Sequence, residues 1–136
     1  MTKLTAPIEQ LLADLHHPTD FVKRCDAARE LGKVRDPRAV QALLGDLNDP
    51  DWRVRRNAAQ ALGASKAKEA VEPLIAALND RTNTVRCRAA VVLGRIKDPR
   101  AIQPLAYTLE TNTGAVFEAA SKALAKFGKA AVPALL

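Results

Sequence analysis

Aromatic side chains are scarce in this chain: they make up 4 % of 136 residues, with one Trp, one Tyr and three Phe. Large rings are what sheet proteins draw on to fill a core, so their scarcity points to closely packed helices. Cysteine is limited to Cys25 and Cys87, too few for a disulfide scaffold. No apolar run approaches the ~20 residues of a membrane span. The start, Met1-Thr2-Lys3-Leu4, lacks the apolar stretch of a secretory signal, so the expected location is the cytoplasm, with no membrane partner. What the chain has instead is 26 alanines and 17 leucines, nearly a third of its residues. It also carries 21 Lys+Arg against 15 Asp+Glu, a formal charge of +6. That excess fits nucleic acid, another acidic partner, or solubility alone.

The abundance of alanine and leucine comes from an internal repeat. VRRNAAQALG (Val54 to Gly63) returns as VRCRAAVVLG (Val85 to Gly94) 31 residues later, with related strings ending at Gly32 and Ala125. A second string alternates with it: Ala39-Val40, Leu43-Leu44 and Leu47 match Ala70-Val71, Leu74-Ile75 and Leu78, then Ala101-Ile102, Leu105 and Leu109. Ile8, Leu11, Leu12 and Leu15 form a further copy, 32 residues before its counterpart, which places one extra residue in the first unit near Lys23 to Asp26. Val71, Leu74, Ile75 and Leu78 fall at helical spacing on one stripe. The strings predict helices over 6–15, 20–32, 37–47, 51–63, 68–78, 82–94, 99–109 and 113–125, with a ninth beginning near 130. Gly32, Gly63 and Gly94 follow the last apolar residue, where a helix end accepts a left-handed residue.

DPDWRVRRNAAQALG followed by AVEPLIAALND resembles the HEAT-like repeats named after phycobilisome lyases, over nearly the whole chain. The resemblance implies an all-α, right-handed solenoid forming a single domain over 1–136, with units at about 5–32, 37–63, 68–94 and 99–125 and a partial unit at 130–136. First helices would lie on the convex side and second helices on the concave side. It also implies an inter-repeat ladder in which Asp49 and Asp80 meet Arg24, Arg55 and Arg86. Phe117 replaces the arginine in the fourth unit and His17 stands near the aspartate position in the first, so the ladder should fail at both ends.

The search for chemistry returns little. There is no GxSxG, P-loop or GxGxxG, and no HExxH or CxxC that would recruit His16 and His17 to a metal. Deoxyhypusine-type hydroxylases of the same repeat class bind iron through His-Glu pairs, and this sequence has no His-Glu dipeptide. Cys25 and Cys87 are two periods apart, on the order of 20 Å at ordinary helix spacing, and should be free thiols. They read either as small semi-buried residues or as a tether for a chromophore or metal. Asp36 and Asp98 precede prolines, where they can cap helices. No catalytic residue, cofactor or metal is implied, and nothing requires an enzyme.

Arg29, Arg53, Arg56, Arg88 and Lys122 are the candidates to face the concave groove, with Lys33, Arg95 and Lys126 at its edge. With three arginines in the ladder and others in connectors, only part of the basic excess is expected there. Trp52 reads as a partner hot spot or as half-buried packing at a helix start. The C-terminal Ala131 to Leu136 stops midway through a first helix, which implies truncation from a longer array or self-association through that end. The leading expectation is a non-catalytic scaffold binding a protein along the concave face. The alternatives are a bilin lyase or chaperone-type subunit, and sequence-independent nucleic-acid binding.

Overall fold

Aspartate and proline set where the helices begin. The computed structural model describes residues 7–135. Among them every regular element is helical: α1 (Ile8–Leu15), α2 (Phe21–Leu31), α3 (Pro37–Asp46), α4 (Trp52–Ser65), α5 (Val71–Ala77), α6 (Asn83–Ile96), α7 (Ile102–Thr111), α8 (Gly114–Ala125) and α9 (Val132–Leu135). The expected starts at Thr5 and Ala6 and the last residue, Leu136, lie outside the described residues. Asp20, Asp36 and Asp51 accept first-turn N–H groups of α2, α3 and α4, satisfying donors that lack an intrahelical partner. Pro73 and Pro104 are the third residues of α5 and α7, and a 3₁₀ turn precedes each helix. A proline there has no N–H to give to the preceding turn. Ala42 occupies that register in the second unit, and α3 runs unbroken from Pro37.

The extra residue of the first unit lies in the turn between α1 and α2, not near Lys23 to Asp26. Leu15 and Leu47 are 32 residues apart, whereas Phe21 and Trp52 are 31 apart. An insertion inside a helix would rotate its apolar stripe by about 100°, but a turn absorbs it. His17 secures this turn: its Nδ1 accepts the N–H groups of Thr19 and Asp20 at 3.3 and 3.0 Å.

Second helices stack directly, α2 on α4, α4 on α6 and α6 on α8, while the first helices meet their neighbours far less. A stack held tightly along one row curves toward that row, which makes the second helices the concave side of an α-solenoid. Ala27, Ala58, Ala89 and Ala120 are buried in the seam, and Leu31, Leu62 and Leu93 fill the space behind it. The glycines act here rather than as left-handed caps. Gly63 and Gly94 are inside α4 and α6, and the left-handed residues at those helix ends are Lys66 and Lys97, with φ of 53° and 59°. A Cβ on Gly63 would lie 2.6 Å from Cγ1 of Val92, one on Gly32 would lie 2.8 Å from Cβ of Ala61, and one on Gly94 would lie 2.9 Å from Cα of Ala123. Each glycine is the point where one second helix crosses the next. Ala125 holds the register in α8, where it is exposed.

Arginine ties the turns together behind this seam. Arg55 is 2 % exposed, yet all five of its N–H donors are engaged. Nε and Nη2 reach the Asp80 carboxylate at 2.9 and 3.2 Å, Nη2 also donates to Oγ1 of Thr82, and Nη1 donates to the carbonyls of Asp49 and Pro50. Arg24 repeats the pattern, with Nε 3.1 Å from Asp49 and Nη1 2.9 Å from the carbonyl of His17. Arg86 reaches only the carbonyl of Asp80, and its buried Nε has no partner. The residue 31 positions after Asp80 is Thr111, still inside α7. Each rung joins the arginine of one unit to the aspartate of the next, so the missing aspartate of the first unit leaves no gap. The gap falls between the third and fourth units.

Gly94→Ala should lower the urea midpoint by the equivalent of ~1–3 kcal/mol, because its Cβ meets backbone. Gly45→Ala, with open space around it, should raise stability by up to about 1 kcal/mol. Arg55→Met should cost about 3–5 kcal/mol by stranding Asp80, whereas Arg86→Met should cost no more than about 1 kcal/mol, one hydrogen bond to a carbonyl. Thermal melts of the two arginine variants side by side check the difference.

Candidate functional site

The concave face consists of the second-helix positions that the seam leaves uncovered. On α2 and α4 these include Arg29, Lys33, Asn57, Gln60 and Ala64, which line a shared recess of about 300 Å³. The 31-residue register carries the same positions onto α6 and α8. Across the four helices the face bears Arg29, Arg53, Arg56, Arg88, Arg95 and Lys122, with Lys33 and Lys126 in the turns just after α2 and α8, opposed by Asp26 and Glu118. With the ion-pair partners Glu30 and Asp51 included, eight cations meet four carboxylates, a surplus of four. The other thirteen Lys+Arg stand against eleven Asp+Glu. Four of the six excess charges therefore lie with the groove set, and the other two lie elsewhere in the chain.

Not every groove cation is free. Asp51, Asp36 and Asp98 share a device: each caps a helix with one oxygen and grips the arginine two residues on through both. In this way Arg53 sits 2.7 Å from Asp51, which holds the Asp51 carboxyl down at about 2. Arg29 pairs with Asp26 at 2.7 Å and Lys33 with Glu30 at 3.2 Å. Arg56, Arg88, Arg95, Lys122 and Lys126 have no ion-pair partner among the described residues. The Asp-x-Arg spacing was visible in the sequence and is the signal that would have removed Arg53 from the free set.

One end of the groove is aromatic. The Arg53 guanidinium lies 3.5 Å from the centroid of the Phe21 ring, and Arg56 lies 5.4 Å from that of Trp52. Trp52 is 37 % exposed, open enough to be touched and pinned by the arginines stacked on it. Cys25 is buried and Cys87 half-buried, both free. Burial pushes both thiols up, and the Asp51 carboxylate adds to the effect at Cys25, the reverse of an activated thiolate. Among the described residues no group of three His, Cys, Asp or Glu could hold a metal, and no helix is long and apolar enough to cross a membrane.

Asp46 was not singled out by the sequence, since its register partners are Ala77 and Thr108. It lies at the end of α3 beside Asp49 and Arg24, with one buried carboxylate oxygen unpartnered. Burial, reinforced by the Asp49 carboxylate and opposed by Arg24, raises its pKa to about 7.

A family model described as HEAT repeats matches residues 8–86 and 71–136. The chain belongs to the HEAT-repeat family. Among solved structures it is similar to a chain of the complex of CpcE and CpcF of phycocyanin lyase from Nostoc sp. PCC7120, at 32 % identity and a TM-score of 0.81, over 94 % of this chain and 56 % of that one. Human deoxyhypusine hydroxylase matches at 24 % identity and a TM-score of 0.78, over 89 % of this chain and 43 % of that one. An engineered protein matches at 23 % and 0.65, over 96 % of this chain and 68 % of that one. These last two share the fold alone. The HEAT-repeat chain thus spans about half the length of the two natural proteins. The repeats are of the phycobilisome-lyase type. No curated protein matches the sequence.

Asp46 generates a pH dependence in this HEAT-repeat protein. Between about pH 4 and 7 the unfolded chain gives up this proton while the folded chain keeps it, so stability falls as pH rises through that window. Asp46→Asn should leave the thermal midpoint near wild type at pH 4 and raise it at pH 8.

Proposed function

We propose that the chain is a non-catalytic protein-binding module that holds a partner along the concave face of its second helices. The observation that carries this reading is the set of cations on that face, Arg56, Arg88, Arg95, Lys122 and Lys126, that have no ion-pair partner among the described residues. Like charges gathered on one surface repel one another, and of this set only Arg56, beside Trp52, takes part in the packing described above. The similarity to a subunit of a two-protein complex supports a protein partner. A photo-crosslinking amino acid placed at Gln60 or Val91 on the concave face, and at the exposed convex positions Gln41 or Gln103, tests it in the native host. Adducts are expected from the concave positions. Adducts formed only from the convex positions would overturn the reading.

A second reading rests on the 32 % identity to the phycocyanin lyase complex: a subunit of lyase or chaperone type that handles a bilin. The unpaired arginines and lysines suit the propionates of a tetrapyrrole. Mixing the chain with a free bilin should then shift the visible absorbance, and an unchanged spectrum counts against it.

A further inference from the structure

We infer that the groove takes an acidic amphipathic helix, a proposal that rests on the protein-binding reading above and specifies the partner's chemistry. The unpaired cations Arg56, Arg88 and Lys122 stand on the successive second helices α4, α6 and α8, with Arg95 a further one at the end of α6. Neighbouring helices are separated by ~8–10 Å, and two turns of a helix rise ~10.8 Å. Arg88 and Lys122 lie one and four residues beyond the register of Arg56, about 1.5 and 6 Å further along their helices. A helix crossing the array obliquely therefore meets one cation about every seventh residue, and carboxylates at that interval satisfy all three. Between the cations the floor is apolar and half-buried at Val91 and Ala119. Residues three and four positions from each carboxylate fall on this floor. Trp52, partly exposed beside Arg56, closes the end of the row as an anchor for an apolar side chain.

A nucleic-acid strand fits less well. Each strand of a duplex carries a charge every ~3.4 Å of axis, several times denser than this row, and its phosphates leave the apolar floor uncovered. Charge complementarity and the interleaved apolar positions together favour the peptide.

The test selects binders from a display library of randomised single-helix peptides, using the full chain as bait. Enrichment of net-acidic sequences with Asp or Glu seven residues apart and an apolar stripe between them is expected. The best binder should weaken roughly tenfold against Arg88→Glu or Lys122→Glu, and with added salt. It should be unchanged by Lys66→Glu in the loop after α4. Arg88→Gln, a gentler change, should weaken binding in the same direction, and circular dichroism melts verify that each variant folds. Enrichment of neutral or basic peptides, or of none, would overturn the proposal, as would a single-stranded oligonucleotide that binds more tightly than the best peptide. Crosslinks from Gln60 or Val91 to a native protein would stand in each of those cases, so a failure here is separable from a failure of the scaffold reading.

Discussion

The approach distance between successive second helices governs everything else in this molecule. Gly32 meets Ala61, Gly63 meets Val92 and Gly94 meets Ala123 at separations that leave no room for a methyl group. Such contact requires small side chains along the whole seam, which is why alanine is abundant and aromatic residues are few. The first helices carry Leu43, Leu74 and Leu105 instead and stand further apart. The difference in width between the two rows is the curvature, and the curvature makes a groove. Adding a carbon at a seam position would separate two helices and also open the concave face.

The arginine rungs solve a separate problem. A turn buried against its neighbour leaves carbonyls without partners, and a guanidinium with five donors can serve several at once. Arg55 satisfies two carbonyls, a carboxylate and a hydroxyl. Buried pairs of this kind contribute little net stability over an apolar replacement, but breaking one is costly, so they fix register more than they add strength. Between the third and fourth units, where the rung is incomplete, the Gly94–Ala123 crossing and the apolar core carry the junction. Asp49 and Asp80 neutralise Arg24 and Arg55, whereas Arg86 has no carboxylate partner.

Much of this was legible in the sequence because repetition multiplies a weak signal. One apolar stripe of seven residues is ambiguous, but the same stripe recurring in register fixes helix boundaries to within about two residues. What periodicity could not decide was the role of a residue that serves two purposes. A glycine late in a helix fits either a left-handed cap or a close crossing, and only the neighbouring helix distinguishes them. The extra residue of the first unit was misplaced because matching strings locate helices and say little about the turn between them. Asp46 escaped notice for the opposite reason: its burial depends on a neighbouring turn and on no pattern within its own helix.

The two sets of positions on each second helix obey different constraints. Seam positions repeat: valine at 54, 85 and 116, alanine at 58, 89 and 120, leucine at 62, 93 and 124. Groove positions do not repeat, and the register holding Arg29 passes through Gln60, Val91 and Lys122. Packing dictates the first set, since every copy meets the same neighbour. The second set meets no neighbouring helix and is free to differ from one unit to the next. A solenoid separates stability from recognition by geometry, and in this chain the buried arginines Arg24 and Arg55 are paired across units while Arg88, Arg95, Lys122 and Lys126 on the second-helix face are not. Where a groove cation does gain from its neighbours, as Arg53 does from Asp51 and Phe21, the gain is local to one helix start and does not recur in the other units.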